Sequence, residues 1–191
     1  MHRRAGYVLV GGRSSRFGRD KALIDIDGRP LVSLIAEKVR AAADTVTLVG
    51  SPERYGHLRY RVIPDQVRNF GPVAGILAAL EDSAAAWNLI VACDMPRLRV
   101  DFLELLFRRA ESCGRDALVP LSSGGREEPL CAVYSKRLAG PFRQALRSGE
   151  AKITRALSGM DVHYLLPPEY HCIDPSGEVF MNLNTPADLR L

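Results

Sequence analysis

Short apolar runs and longer amphipathic segments alternate along the chain. The apolar runs predict strands over residues 7–10, 46–49, 60–63, 88–93, 116–120, 130–134, 162–166 and 179–183. Apolar positions at helical spacing predict helices over residues 30–43, 71–85, 101–113, 137–147 and 153–157, and a last short helix starts at Thr185-Pro186. The run at 88–93 lacks alternation, as expected of a central parallel strand. This order predicts an α/β fold, a Rossmann-like three-layer sandwich with a mostly parallel central sheet.

Two polar segments mark expected boundaries between these elements. Asp101 and Glu104 form a capping-box pattern at the start of the helix that runs to Cys113. Residues 122–128 are polar and rich in glycine, and they predict a mobile loop. The chain has 191 residues and shows no internal repeat or linker, so we expect one domain over residues 1–191.

A double-glycine turn follows the first predicted strand. Gly11 and Gly12 can adopt backbone angles that other residues avoid, and they present no side chain that would block a ligand. Backbone N–H groups in such a turn can point together at one anion. Cationic residues follow this turn closely, namely Arg13, Arg16, Arg19 and Lys21. The segment predicts a site for the triphosphate of a nucleotide, and the alternative is an ordinary surface turn in an arginine-rich chain.

The pattern of this turn excludes two common phosphate-binding loops. A P-loop ends in Gly-Lys-Ser/Thr, whereas Lys21 lies three residues after Gly18 and is followed by Ala22. The dinucleotide-binding fingerprint needs Gly-x-Gly-x-x-Gly, which residues 11–16 do not match. What remains is a strand, a double-glycine turn and a basic segment that ends in one lysine.

Composition and charge fit an ordinary globular protein. Hydrophobic residues make up 47% of the chain and charged residues 25%, with a net charge of +4 and a pI near 9.0. A basic nucleic-acid-binding module is the non-enzymatic alternative, and it would bind with a steep salt dependence. The arginines are spread over the whole chain without a block of like charge. This distribution favours a solvated surface of mixed sign, and we expect no nucleic-acid partner.

The cysteines and the start of the chain indicate a cytoplasmic protein. The cysteines at 93, 113, 131 and 172 form no close pair and no zinc-binding spacing, and Cys93 and Cys131 lie in apolar runs as core residues do. The four histidines form no metal motif. No signal peptide is apparent and no apolar stretch reaches membrane-spanning length, so we expect no membrane partner. The expected compartment is the reducing cytoplasm.

Two aspartates lie where predicted strands end. Because ligands of parallel α/β sheets bind beyond the carboxyl ends of the strands, the Gly11 turn, Asp65 and Asp94 are expected to converge on one crevice. A carboxylate in the position of Asp94 is costly unless it is paired or binds a cation, and Mg²⁺ takes one or two carboxylates plus phosphates. The alternative for each aspartate is capping of a turn. Asp65 can instead accept hydrogen bonds from guanine or ribose.

The segment from Gly71 to Gly75 opens a predicted helix with small residues. Small residues let an anion approach the free N–H groups and the positive dipole at a helix N-terminus. The alternative is that Gly75 only permits close packing of the helix on the sheet. The sequence leaves both possibilities open.

Several ordered segments resemble one enzyme family. Residues 9–21, LVGGRSSRFGRDK, resemble the motif of pyrophosphorylase-type nucleotidyltransferases and, within them, of molybdenum cofactor guanylyltransferases. Val10 and Phe17 replace an alanine and a methionine of that motif, and both changes stay apolar. Cytidylyl-transferring relatives more often have alanine in the place of Gly11, which favours GTP as the substrate. Further matches are Asp65 with GPVAGI at 71–76, CDMP at 93–96, PLCAVY at 129–134 and NLNTP at 182–186, so that the resemblance covers nearly the whole chain.

The resemblance implies the transfer of GMP from GTP to the phosphate of molybdopterin, the organic part of the molybdenum cofactor, with release of pyrophosphate. It implies that GTP is bound by Leu9, Val10, Gly11, Gly12, Lys21, Asp65 and Asp94, with Mg²⁺ on Asp94. It implies a site for the pterin phosphate formed by Arg16, Gly71, Gly75, Asn182 and Asn184. In some members an asparagine stands where this chain has Gly50, which puts a side-chain contact at that point in question. Implied partners are other cofactor-synthesis proteins and the recipient molybdoenzymes.

Such a reaction leaves positioning and charge neutralisation to the protein. A phosphate monoester has its second pKa at about 6, so it is largely dianionic at neutral pH and needs no protein base. The chain accordingly shows no Ser/His/Asp or Cys/His arrangement. Arg16, Lys21 and a Mg²⁺ ion held by Asp94 are the candidates for stabilising charge on the transferring and leaving phosphates.

The identity of the two substrates and the role of two asparagines remain open at this point. Asn182 and Asn184 lie two apart, so on a strand they face the same way and can read the hydrogen-bonding edge of a pterin. Their alternative is turn and cap chemistry around Thr185-Pro186. The alternatives to GTP and molybdopterin are CTP with the same pterin, or another phosphorylated acceptor.

Overall fold

A seven-stranded sheet forms the centre of the molecule. The computed structural model describes residues 3–11, 20–65 and 71–183. The strands of the sheet are β1 (Arg4–Leu9), β4 (Val46–Val49), β5 (Arg61–Ile63), β6 (Trp87–Ala92), β7 (Ala117–Pro120), β8 (Cys131–Ser135) and β9 (Val162–Leu165). Their order is β5-β4-β1-β6-β8-β7-β9. Two further short strands, β2 (Asp25–Ile26) and β3 (Arg29–Pro30), pair with each other as an antiparallel ribbon.

The central sheet is mostly parallel, which confirms the predicted fold class. β1 pairs in parallel with β4 and β6, β4 with β5, and β7 with β9. Strand β8 runs antiparallel between β6 and β7. The chain winds from β1 outward to β4 and β5, and then returns to place β6 on the other side of β1. The winding therefore reverses between β1 and β6, and their carboxyl ends flank the crevice in which α/β sheets bind ligands.

Helices cover both faces of the sheet. They are α1 (Leu31–Ala42), α2 (Pro52–Tyr55), α3 (Pro72–Asp82), α4 (Val100–Cys113), α5 (Ala139–Arg147), α6 (Ile153–Ala156) and α7 (Pro167–Tyr170). The buried stripes of α1 and α4 belong to one hydrophobic core, and those of α3, α5 and α6 belong to a second core on the opposite face. Two cores separated by one sheet make the three-layer sandwich that the sequence predicts. Within the described residues, no helix is both long and apolar enough to cross a membrane.

The predicted strand over residues 179–183 is wrong. Val179 lies in a turn that Asp174 stabilises, because the Asp174 carboxylate accepts hydrogen bonds from the backbone N–H groups of Glu178 and Val179 at 3.0 and 3.1 Å. The Phe180 ring packs edge-on against Phe102, with their centroids 5.4 Å apart. The apolar character of this segment therefore serves the core below α4, and it does not pair with a strand.

Other predicted boundaries need smaller corrections. The capping box at Asp101 is wrong: α4 begins at Val100, and the Asp101 carboxylate pairs with Arg99 and accepts from the Phe102 N–H. Pro30 precedes α1 instead of starting it, and the short helices α2 and α7 were not predicted. The loop over residues 122–128 is present, closed by a bridge between Leu121 and Glu127. The predicted helix from Thr185 lies outside the described residues.

Candidate active site

The site begins where β1 and β6 end side by side. The backbone N–H of Cys93 donates to the carbonyl of Leu9 at 3.2 Å, and the N–H of Val10 donates to Val49 at 2.9 Å. The first bond holds the segments that leave β1 and β6 next to each other, and the second holds the end of β1 against β4. The residues that follow, Gly11 on one side and Asp94 on the other, therefore emerge at the same edge of the sheet, as the sequence predicts.

Gly11 adopts a backbone conformation that favours glycine. Its φ is +106°, in the region that L side chains rarely occupy. A side chain at this position would also come close to the hydroxyl of Tyr55, which lies 4.0 Å from an ideal Cβ. Gly12 and Arg16, which the sequence assigns to the same loop, lie outside the described residues together with Arg13 and Arg19.

Lys21 and Asp94 form an ion pair across this edge. Lys21 Nζ lies 3.8 Å from Asp94 Oδ2, and the side chains are 17% and 26% exposed. This distance exceeds that of a direct N–H···O hydrogen bond, so the two charges attract each other without one. Partial burial raises the pKa of the Asp94 carboxyl, and the Lys21 ammonium counteracts that rise. The two charged candidates thus lie next to each other, although about seventy residues separate them in the chain.

Asp94 fits a magnesium ion that arrives with a nucleotide. Within the described part of the chain, no group of three or more His, Cys, Asp or Glu side chains can hold a metal ion by itself. Mg²⁺ does not need such a cage, because it binds through one or two carboxylates, water and the phosphates of the substrate. The half-buried Asp94 carboxylate, whose pKa is raised by desolvation, is stabilised by a nearby divalent cation. The donor set therefore matches Mg²⁺ shared between Asp94 and a triphosphate.

The neighbouring Asp20 serves a structural purpose. Its Oδ1 accepts from the Ala22 N–H at 3.1 Å, which caps the 3₁₀ turn Lys21–Leu23. Its Oδ2 accepts from the Tyr55 hydroxyl at 2.6 Å and lies 3.8 Å from Arg54 Nη1. The capping signal of Asp20 is visible in the sequence. The contact with Tyr55 depends on tertiary structure, and no sequence pattern indicates it.

Cys93 provides no nucleophile at this site. Burial raises the pKa of its thiol to about 12, and the carboxylates of Asp94 and Asp20 add to the rise. The thiol is therefore protonated at neutral pH and packs as a small core residue, as predicted. Cys131 is fully buried as well, which confirms the same prediction there.

Gly75 and Gly50 are required by close packing. A Cβ on Gly75 would lie 3.2 Å from Cδ1 of Leu9, so this glycine brings α3 close to β1 and supports the packing alternative. A Cβ on Gly50 would lie 2.5 Å from Cγ2 and 2.7 Å from the carbonyl oxygen of Val10. No side chain fits at Gly50 without movement of β1, so the asparagine of some relatives has no direct counterpart here.

The remaining candidates lie around the same edge of the sheet. Asp65 is half-buried just beyond β5, two strands away from β1. Asn182 is not on a strand, so the strand geometry predicted for it is wrong, and Asn184 lies outside the described residues. The segment still approaches the site, because the Leu183 N–H donates to the Asp94 carbonyl at 2.8 Å. Asn182 Oδ1 is buried and accepts no hydrogen bond from the described residues.

A cavity that the sequence did not indicate lies on the α3 side of this edge. Its volume is about 480 Å³, and it is lined by Pro72, Pro129 and residues 151–154. Gly71 borders it, with φ +70° and an ideal Cβ 3.6 Å from the carbonyl oxygen of Ala151. The lining is almost wholly apolar, and Lys152 is one of the lining residues. Pro129 reaches the active edge because the next residue, Leu130, accepts a hydrogen bond from the N–H of Ala92 at the end of β6.

Comparisons with known proteins agree with this geometry. A model of the MobA-like NTP transferase domain matches residues 6–162. The chain is 34% identical to a probable molybdenum cofactor guanylyltransferase of Trichormus variabilis, over 100% of this chain and 91% of that protein. It is 36% identical to one from Thermococcus kodakarensis, over 97% and 92%. The crystal structure of molybdopterin-guanine dinucleotide biosynthesis protein A from Archaeoglobus fulgidus superposes with a TM-score of 0.84 at 30% identity, over 97% and 94%. The chain therefore belongs to the MobA-like NTP transferase family.

Proposed function

We infer that this protein transfers GMP from GTP to the phosphate of molybdopterin, which releases pyrophosphate and forms a guanine dinucleotide cofactor. The observation that carries this inference is the Lys21–Asp94 pair at the point where the winding of the sheet reverses. It provides a cation for phosphates and a carboxylate for a metal ion, at the place where an α/β sheet binds its ligand. The names of the relatives support guanine and molybdopterin as the two substrates.

The turn at Gly11 and the side chain of Lys21 bind the triphosphate in this proposal. The open backbone of Gly11 lets phosphate oxygens approach closely, and Lys21 holds a compact positive charge toward them. Asp94 is the residue that would hold Mg²⁺, which neutralises charge on the transferring phosphate and on the leaving pyrophosphate when it is bound. Gly12, Arg16 and Asp65 remain our proposed contacts on the basis of the sequence motif.

The cavity beside α3 is the proposed place of the acceptor. Its apolar walls match the faces of a flat ring system, and Lys152 matches an anionic substituent. Gly71 borders this cavity just before α3, and in this proposal the acceptor phosphate approaches the α-phosphate of GTP from this side. The buried Oδ1 of Asn182, which has no hydrogen-bond partner in the described part of the chain, lies on the segment bonded to Asp94 and supports an amide contact with the acceptor.

The chemistry needs no protein base. The acceptor phosphate is largely ionised at neutral pH, and its oxygen attacks the α-phosphate directly while the bond to pyrophosphate breaks. The nearby thiol of Cys93 stays protonated and takes no part. The residues of this chain therefore act by orienting two anions toward each other and by neutralising their charge.

We further propose that the enzyme depends on Mg²⁺, works in the cytoplasm, and exchanges cofactor with other cofactor-synthesis proteins and recipient molybdoenzymes. The cysteines support the compartment, because Cys93, Cys113, Cys131 and Cys172 are all free thiols.

The test is an assay of pyrophosphate release with purified protein, molybdopterin and one nucleoside triphosphate at a time. We expect turnover with GTP and Mg²⁺, loss of turnover with a chelator, and recovery when Mg²⁺ is added again. Faster turnover with CTP than with GTP would overturn the choice of base. No turnover with any nucleotide, in a folded sample with intact pterin, would overturn the proposed reaction.

A further inference from the structure

A buried tyrosine holds the aspartate that precedes Lys21. The hydroxyl of Tyr55, the last residue of α2, donates to Asp20 Oδ2 at 2.6 Å. Tyr55 is 1% exposed, so water does not compete effectively for this bond. A hydroxyl that donates to a carboxylate in such surroundings makes a strong, charge-assisted hydrogen bond. The position of the Asp20 carboxylate is thereby fixed relative to α2.

The same Asp20 carboxylate also restrains the backbone around Lys21. While Oδ2 faces Tyr55, Oδ1 accepts from the Ala22 N–H and caps the 3₁₀ turn that Lys21 begins. The backbone on both sides of Lys21 is therefore tied to one carboxylate. From this fixed origin the side chain of Lys21 extends to within 3.8 Å of Asp94.

The same tyrosine also lies beside the other end of the nucleotide-binding loop. Its hydroxyl is 4.0 Å from the ideal Cβ position of Gly11, and its ring carbon Cε2 is 3.1 Å from that of Gly50. Gly11 precedes the loop and Asp20 follows it, so one side chain contacts or closely approaches both ends. Because Gly50 carries no side chain, the ring can lie this close to the end of β4.

We propose that Tyr55 is a positioning residue for nucleotide binding, which acts through Asp20 to present Lys21 to the triphosphate. This inference rests on the proposed function, since it requires that Lys21 binds the nucleotide. It assigns to α2, a helix with no predicted role, the task of setting the distance between Lys21 and Asp94. The acceptor cavity lies on the opposite face of the sheet and should not be affected.

The test compares two tyrosine-to-phenylalanine variants. Tyr55→Phe removes the hydroxyl and keeps the buried ring. Tyr7→Phe is the matched control, because Tyr7 is also buried and donates at 2.9 Å to Asp82, a carboxylate that pairs with Arg61 at the far end of α3. We expect Tyr55→Phe to raise the Kd for GTP about tenfold, as the loss of a hydrogen bond to a charged group implies. We expect the Kd of Tyr7→Phe, and the KM for the acceptor in both variants, to change less than about twofold.

A double-mutant cycle with Asp20→Ala tests the route of this effect. If Tyr55 acts through Asp20, adding Tyr55→Phe to Asp20→Ala changes the Kd for GTP less than about twofold. An additional tenfold rise in the double variant would overturn the route through Asp20. Melting temperatures are measured in parallel. If Tyr55→Phe and Tyr7→Phe lower the melting temperature to a similar extent, a rise in the Kd for GTP in Tyr55→Phe alone comes from lost positioning and not from lost stability.

The outcomes distinguish this inference from the proposed function. GTP binding is measured without any acceptor, so the result does not depend on which acceptor is correct. Equal Kd values for Tyr55→Phe, Tyr7→Phe and the unsubstituted protein would overturn the positioning role and leave the proposed function intact. Failure of the unsubstituted protein to bind GTP would overturn both.

Discussion

The backbone N–H of Leu183 donates to the backbone carbonyl of Asp94 at 2.8 Å, although nearly half of the chain separates the two residues. This bond brings the end of the described chain back to the edge where β1 and β6 finish. It also brings Asn182, whose buried Oδ1 has no hydrogen-bond partner among the described residues, to the segment that carries Asp94. The site is thus assembled from the first, middle and last parts of the sequence.

Replacing Asp94 should separate activity from stability. Burial raises the pKa of this carboxyl, so its ionised form is disfavoured in the folded protein, and the stability it contributes is lost as pH rises through the folded-state pKa. Asp94→Asn removes the buried charge, so we expect a higher melting temperature at pH 8 and little change at acid pH. We expect turnover to fall by about a hundredfold or more. A melting curve and a pyrophosphate assay check this, and full activity in the variant would refute the metal role.

Lys21 should control both nucleotide affinity and the acid side of the pH profile. Turnover requires ionised Asp94, so activity is lost as pH falls through the raised pKa of that carboxyl. Lys21 lowers this pKa, and Lys21→Met should therefore move the acid limb to higher pH. The same change should raise the KM for GTP by about tenfold or more. Profiles of kcat/KM from pH 4 to 9 test the shift, and an acid limb at the same pH would contradict the coupling.

Lys152 should affect the acceptor and not the nucleotide. It is the cation among the residues that line the cavity beside α3. Lys152→Ala is expected to raise the KM for molybdopterin about tenfold, because a charge-assisted contact is lost, and to leave the KM for GTP unchanged. Arg155→Ala is the matched control, since Arg155 is an exposed cation of α6, the helix that follows Lys152, and does not line the cavity. Equal effects of the two substitutions on the acceptor would argue against this location.

Gly50 should tolerate no side chain. An added Cβ would lie 2.5 Å from Val10 Cγ2 and 2.7 Å from the Val10 carbonyl oxygen, so Gly50→Ala should lower the free energy of unfolding by about 1–3 kcal/mol. Gly56→Ala is the control, because nothing lies within 4 Å of its Cβ position and its φ of −60° suits alanine. Urea unfolding measures both variants. An unchanged midpoint for Gly50→Ala would show that β1 can move without cost.

The sequence predicted the features that depend on local pattern. The uninterrupted apolar run of β6 indicates a central strand, and the rule that ligands bind at the carboxyl ends of parallel strands predicts that Gly11 and Asp94 lie at one crevice. The helix α2 was not predicted, although Ser51 and Pro52 carry a start signal for it, because a serine N-cap followed by proline is typical of a helix start.

Features that depend on distant partners could not be predicted in this way. Val179 and Phe180 have the composition of a strand. The Asp174 carboxylate, however, accepts a backbone hydrogen bond from Val179 that stabilises a turn, and the ring of Phe102 packs against Phe180. The hydrogen bond between Tyr55 and Asp20 likewise depends on where α2 lies after folding. Neither relationship produces a periodic pattern in the sequence.

Strand β8 runs antiparallel to both of its neighbours, and this has a consequence for which parts of the sequence can change between related enzymes. For every other described strand of the sheet, the residues that follow the strand lie at the active edge. For β8, the residues that precede the strand lie there, including Pro129. In the proposed assignment, the triphosphate contacts at Gly11 and Lys21 precede α1, whereas Pro129 and residues 151–154 of the cavity follow β7. Substitutions that change the acceptor can therefore occur at these later positions while the residues that bind the triphosphate stay unchanged.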